Sequence, residues 1–307
     1  MSRFLVAGLL PDWLALTYND DPRSSDCPAL PCFCARFMSA VDQLFTELKS
    51  QGRKALMPFF TAGDPDIETT ARVIRAAQTA GASLCEVGVP YSDPIADGPV
   101  IQASYQRALE NHFRLSQVME MGQQLKADVT MPLVTMVSYS IIHRVGLEEY
   151  VRQAQEAGFA GAIVPDLLVE EAGTFSAICR KADFSLVQLV TPTTPRERQV
   201  RIAESSSGFL YYVSVTGITG ERSVLPADLV ERVSWLRDQT DLPICIGFGI
   251  SGPETAAQLA PVADGLIVGS AIVRRVQESG SPENAEVAVT EFVKALRLAI
   301  DGAAAPG

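Results

Sequence analysis

The chain has 307 residues, 47% of them apolar, which is enough to bury the core of one large α/β barrel or of two ordinary domains. A net charge of −11 and a pI near 4.8 exclude non-specific binding to nucleic acid or an anionic membrane, since an acidic surface repels both; a local site for a small phosphate stays open. No apolar run reaches the roughly 20 residues that a membrane span requires.

Residues 1–37 carry no sustained period and are broken by Pro11, Pro22, Pro28 and Pro31. The first ten resemble the start of a signal peptide, but Pro11, Asp12 and Trp13 follow at once with no small-residue cleavage site after them. The segment reads as a disordered extension outside the fold, with Met38 as an alternative start of translation. An amphipathic helix carrying Val41, Leu44, Phe45 and Leu48 comes next. The six cysteines are few for this length, and Cys85, Cys179 and Cys245 fall in predicted strands or helices, where thiols pack as small hydrophobes; a reducing, cytoplasmic compartment follows. Cys32 and Cys34 form a Cys-x-Cys, but neither His112 nor His143 lies at metal-ligand spacing from them, so no metal is expected.

From residue 54 onward short apolar runs alternate with amphipathic helical stretches, the pattern of repeated βα units around a parallel sheet. The strands are predicted at 55–60, 84–89, 133–137, 162–165, 186–190, 209–213, 244–247 and 265–268. Helices are predicted near 66–80, 100–110, 116–126, 147–157, 170–181, 196–205, 227–238, 253–260, 270–278 and 285–300. Eight such units in about 250 residues is the size of a closed (β/α)8 TIM barrel. An open doubly wound sheet would be expected to carry Gly-x-Gly-x-x-Gly after its first strand, where this chain reads Phe60-Thr61-Ala62-Gly63-Asp64-Pro65. The predicted architecture is one barrel domain over 38–300 with an extra N-terminal helix, followed by a flexible tail at 301–307.

In a barrel the C-terminal ends of the strands line the active site, and the second strand stands out there. Its alternation puts Leu84, Glu86 and Gly88 on one face and the apolar Cys85, Val87 and Val89 on the other, so Glu86 points into the barrel. No other strand supplies an obvious inward cation to pair with it, and a buried unpaired carboxylate is expensive unless protonated or used. Eleven residues on, Asp97 sits in a turn-rich loop, where a carboxylate is expected to stay ionised. Two carboxylates with contrasting surroundings beside one pocket suit acid–base work. Asp93 reads as a turn residue or helix cap.

A second cluster is late and glycine-rich. Gly247-Phe248-Gly249 closes the seventh strand, with Ser251 placed to cap the next helix, and Gly269-Ser270 closes the eighth. Exposed backbone N–H groups at a helix N-terminus bind anions without a lysine, so phosphate is expected there. After the sixth strand, residues 215–223 are small and polar with two glycines, as a mobile lid or a plain connection would be. There is no Gly-x-Ser-x-Gly elbow and no Walker loop; His112 and His143 fall beyond the strands.

The runs Pro58-Phe59-Phe60-Thr61-Ala62-Gly63-Asp64-Pro65 and Glu86-Val87-Gly88-Val89-Pro90-Tyr91-Ser92-Asp93-Pro94-Ile95-Ala96-Asp97-Gly98-Pro99 closely resemble the α subunits of tryptophan synthase. Pro165-Asp166, Gly217-Ile218-Thr219-Gly220, Gly247-Phe248-Gly249-Ile250-Ser251 and Gly269-Ser270-Ala271-Ile272-Val273 agree in order, over about residues 40–280. The resemblance implies retro-aldol cleavage of indole-3-glycerol phosphate to indole and glyceraldehyde 3-phosphate, in an α2β2 complex whose β subunit holds pyridoxal phosphate while this chain needs no cofactor. It implies Glu86 and Asp97 as catalytic residues, with Phe59, Ile101 and Ile163 around an indole pocket and Tyr211 near Glu86. It also implies Thr219 bonded to Asp97, and Gly220, Gly249, Gly269 and Ser270 at the phosphate. Ser138, Ser140 and Leu168 depart from the family pattern toward the partner-binding face. Rival readings are a stand-alone indole-3-glycerol phosphate lyase, a non-catalytic barrel that activates a partner, and another phosphate-binding barrel enzyme.

Overall fold

A computed structural model describes residues 38–95, 97–214, 228–247 and 249–304. The expectations for residues 1–37, and those for Thr219 and Gly220, lie outside the described residues. The strands are β1 (Ala55–Thr61), β2 (Cys85–Gly88), β3 (Leu133–Met136), β4 (Phe159–Ile163), β5 (Ser185–Val187), β6 (Leu189–Val190), β7 (Leu210–Val213), β8 (Ile244–Gly247) and β9 (Gly265–Val268). All pair in parallel, in the order β5-β4-β3-β2-β1-β9-β8-β7-β6. The two ends of that order are neighbours in the chain, separated by Gln188 alone, so the sheet closes on itself as a (β/α)8 barrel. The predicted fifth strand is found, divided at Gln188.

The helices are α1 (Ala40–Ser50), α2 (Ile67–Thr79), α3 (Pro99–Glu110), α4 (Leu115–Leu125), α5 (Tyr139–Val145), α6 (Leu147–Glu156), α7 (Ala172–Lys181), α8 (Arg196–Ser205), α9 (Leu229–Arg237), α10 (Pro253–Leu259), α11 (Ser270–Glu278) and α12 (Pro282–Ala304). One was not predicted. Helix α5 has seven residues, too few to show a period, yet its caps are legible: the Ser138 hydroxyl accepts from the Ser140 N–H, and Gly146 ends it at φ +100°. At the other end of the chain α12 runs to Ala304, so the first residues of the predicted tail are helical.

Alternation along each strand splits the apolar residues into two cores. Leu56, Phe60, Cys85, Val87, Leu186, Leu210 and Ile246 face outward and pack under the helices. Met57, Phe59, Leu84, Val134, Met136, Ile163, Val187, Tyr211, Cys245 and Ile267 fill the barrel. Helix α1 covers the N-terminal end of that interior. Ser39 and Asp42 form a capping box at its start, and Val41, Phe45 and Leu48 are buried against the inner cluster. The Phe45 ring meets Phe209 at 5.7 Å, and the hydroxyls of Ser39 and Ser185 are 2.8 Å apart. With the N-terminal end covered, access to the interior is left to the C-terminal end.

Candidate active site

Glu86 sits in the interior because of its register: on β2 it lies between Phe59 of β1 and Val134 of β3, both apolar. It is fully buried, neither carboxylate oxygen has a hydrogen-bond partner among the described residues, and burial holds its pKa well above the ordinary range. Among the described residues the one buried basic side chain is Arg297 of α12, so no strand supplies Glu86 with an inward cation, as the sequence suggested.

The next inward position, Gly88, is where the wall is thinnest. A Cβ there would lie 2.4 Å from Phe59 Cζ and 2.9 Å from the Tyr105 hydroxyl, so only glycine lets both rings close over the strand end. Gly247 does the same on β8, where a Cβ would meet the Tyr211 hydroxyl at 2.2 Å. These two glycines fix the aromatic walls on either side of Glu86.

Asp97 reaches the same space from the loop before α3. The turn is held by Asp97 N–H donating to the Pro94 carbonyl (3.1 Å) and by Gln102 Nε2 donating to the Asp97 carbonyl (2.8 Å). Gly98 then caps the helix, with Pro99 as its first residue. Farther along, Arg107 of α3 grips Asp64 of the β1–α2 loop through two bonds of 2.9 and 2.7 Å, and Thr61 and Ser104 share a bond of 2.6 Å. These contacts clamp α3 to the barrel. Contrary to expectation, Asp97 is not an open-loop carboxylate. It is 7% exposed, its Oδ2 is buried with no partner among the described residues, and burial pushes its pKa up to about 7. The turn folds back over the barrel mouth, which short-range sequence cannot reveal. Asp93 is the turn residue it was read to be: it is exposed, accepts from the Ser92 hydroxyl at 2.7 Å, and its carbonyl accepts from Ile95 N–H.

A cavity opens at this end, about 740 Å³ when the space continuous with open solvent is counted. Its wall brings together Phe59, Glu86, Asp97, Ile101, Tyr211, Gly249, Gly269 and Ser270 of the sequence expectations. Ile163 belongs to the interior core but does not line the cavity. Gly249 adopts φ +77°, a conformation that favours glycine, and places the β8–α10 loop at the cavity edge. Ser251 also lines the cavity but does not cap α10; Gly252 does. The first turn of α11 begins at Ser270, so the N–H groups of Ser270 and Ala271 have no intrahelical acceptor and are available at that edge.

Sequence reasoning missed Met136, Ala271 and Arg274 on the wall, and Tyr105 behind it. Arg274 and Tyr105 could have been found by helical spacing, four residues after Ser270 and Ile101 respectively. Tyr105 is 1% exposed and its hydroxyl has no partner among the described residues. Six buried side-chain polar atoms of the described residues are unbonded, and four belong to Glu86, Asp97 and Tyr105. Native proteins keep few such atoms, and their gathering at and just behind one cavity makes it the candidate site. Beside the cavity, the Ser138 hydroxyl and the Tyr139 N–H donate to Asp166 at 2.7 and 2.8 Å, tying the loops after β3 and β4 together, and Leu168 is 53% exposed.

Residues 45–301 match the profile of the family described as Tryptophan synthase alpha chain. Among curated relatives, the Tryptophan synthase alpha chain of Rhodopirellula baltica is 65% identical over 87% of this chain and all of the relative. That of Caldanaerobacter subterraneus subsp. tengcongensis is 41% identical over 85% of this chain and 99% of its own. The crystal structure of tryptophan synthase subunit alpha from Legionella pneumophila str. Paris superposes with a TM-score of 0.79 at 35% identity, covering 86% of this chain and 99% of that one.

Proposed function

The chain belongs to the tryptophan synthase alpha chain family and is a lyase that cleaves indole-3-glycerol phosphate to indole and glyceraldehyde 3-phosphate, and we propose that Glu86 and Asp97 divide that chemistry between them. The observation that carries the assignment is the pair of buried carboxylates at one cavity, three of whose four oxygens have no bond.

Cleavage requires a proton at indole C3, stabilisation of the cation this creates at the ring nitrogen, and loss of the proton from the hydroxyl on the carbon attached to C3. Glu86, held neutral by burial, donates its proton to C3. The Asp97 carboxylate accepts the ring N–H and stabilises the positive charge there. Glu86, now ionised, takes the hydroxyl proton as the C–C bond breaks; the bonding electrons return to the ring and the carbonyl forms. The proton lost by the hydroxyl replaces the one given to C3, so Glu86 ends as it began. With its pKa near 7, Asp97 is only partly ionised without substrate at neutral pH, and an N–H donor favours its charged form.

Phe59, Ile101 and Tyr211 form the walls for the indole, and the glycine edge with the start of α11 receives the phosphate. Thr219 and Gly220 complete these two ends in this reading. Alpha chains of the family work with a beta subunit and need no cofactor of their own. The finer assembly is an α2β2 tetramer with pyridoxal phosphate in β, docking near Ser138, Ser140 and Leu168. A cytoplasmic location fits the biosynthetic enzymes among the relatives.

Glu86→Gln and Asp97→Asn are each expected to lower kcat for indole release by about 10³-fold while leaving the circular dichroism spectrum unchanged. Near-normal turnover of either variant would sink the assignment. Measured with and without a beta subunit, the same assay separates a partner-activated enzyme from one that acts fast alone.

A further inference from the structure

We propose that Arg274 is the side-chain counter-charge for the substrate phosphate, the residue that makes the cavity select a phosphorylated substrate over its unphosphorylated analogue. The proposal rests on the reading above, in which the start of α11 is the phosphate end.

The placement follows from helix geometry. Arg274 lies four residues after Ser270 on α11, so the two share a face. Side chains on a helix lean toward its N-terminus, which carries a long guanidinium back over the first turn, where the N–H groups of Ser270 and Ala271 point outward. Arg274 accordingly lines the same cavity as Gly249, Ser251, Gly269 and Ser270. The adjacent Arg275 is turned elsewhere: its guanidinium stacks 3.5 Å over the Phe292 ring and donates to the Ala271 carbonyl at 2.7 Å. Two consecutive arginines thus have separate positions, one against α12 and one at the cavity.

Charge makes that position consequential. A phosphate monoester bears nearly two negative charges at neutral pH and must enter a cavity that already holds Glu86 and Asp97, on a chain with a net charge of −11. A helix N-terminus offers only about half a positive charge. Among the described cavity-lining residues Arg274 is the single cationic side chain. Its planar fork matches a phosphate with two parallel bonds, which a lysine's point charge does not reproduce.

The test measures kcat and KM for indole-3-glycerol phosphate, and the inhibition constant of inorganic phosphate, in wild type, Arg274→Gln and Arg274→Lys. Arg274→Gln is expected to raise KM and the phosphate inhibition constant together by about tenfold or more, with kcat falling less than KM rises. Arg274→Lys should recover part of both, and the gap between wild type and Arg274→Gln should narrow as ionic strength rises. Values for Arg274→Gln within twofold of wild type, or a loss confined to kcat, would overturn the proposal. Failure of the catalytic reading looks different: Glu86→Gln would then keep its turnover, while phosphate inhibition would still report on Arg274.

Discussion

The two ends of this barrel treat buried polar groups in opposite ways. Beneath α1, the Ser39 and Ser185 hydroxyls are bonded to each other, the capping box satisfies the helix start, and Val41, Phe45 and Leu48 seal the rest with apolar surface. At the mouth, Glu86, Asp97 and Tyr105 keep four buried polar atoms unbonded among the described residues, and the cavity wall sets one basic side chain, Arg274, against two carboxylates. An unbonded buried group costs about 1–3 kcal/mol, and more if charged, so the mouth is held in place by contacts made elsewhere. The floor supplies stability and the mouth spends some of it on unbonded polar groups, a division the barrel fold favours.

The largest effect that tests this division lies at the floor. Phe45→Ala removes a ring that is 6% exposed and packed on Phe209, and is expected to destabilise the fold by about 3–5 kcal/mol. Its kcat at a temperature where the variant stays folded should be unchanged. Denaturant unfolding together with the indole assay decides this; a kcat that drops in the fully folded variant would show that the two ends are coupled.

A smaller effect lies at the mouth and depends on pH. Asp97 has a folded-state pKa of about 7 against about 3.9 in an unfolded chain. Between these values the native state holds a proton that the unfolded state has lost, so stability falls as pH rises through the window and levels off above 7. The slope from one such group is at most about 1.4 kcal/mol per pH unit. Surface carboxylates work the other way, since hydrogen bonds from Arg152 and Gln153 hold Glu149 at about 2, so the informative quantity is the difference between wild type and Asp97→Asn. The Tm advantage of Asp97→Asn is expected to grow from pH 4 to 7. A constant difference would mean that Asp97 is ionised in the fold and that the mouth is less costly than it looks.

How far this contrast was legible in the sequence varies with the range of the interactions involved. The inward direction of Glu86 followed from strand alternation, and its lack of a partner from the absence of basic residues in the other strand runs, both local readings that the fold repeats. The glycine edge of the cavity was legible because Gly249 and Gly269 follow directly on strand ends. The burial of Asp97 was not, because it depends on α3 being clamped to the barrel by Arg107 and Asp64, which are 43 residues apart. Helix α5 escaped notice because seven residues hold too little period to register. Arg274 and Tyr105 escaped because their helices were read only as far as Ser270 and Ile101, although the spacing of four residues from each was in plain view.

Tyr105 gives the finest test, because its hydroxyl can be removed without changing the shape of the ring. That ring packs 5.6 Å from Tyr91 and lies over Gly88, while burial, and after it the charge of Asp97, raises the hydroxyl's pKa. If the hydroxyl only filled space, Tyr105→Phe would relieve an unbonded buried group, raise stability by about 1 kcal/mol and leave turnover alone. A group kept at the mouth for use behaves differently: the same gain in stability, read as a Tm higher by about 2–4 °C, is expected to come with a several-fold loss in kcat/KM for indole release. A variant that is more stable and equally active would reduce Tyr105 to packing and narrow the functional mouth to its two carboxylates. One that is less stable would show that the hydroxyl has a bonding partner, and the contrast between floor and mouth would lose one of its three members.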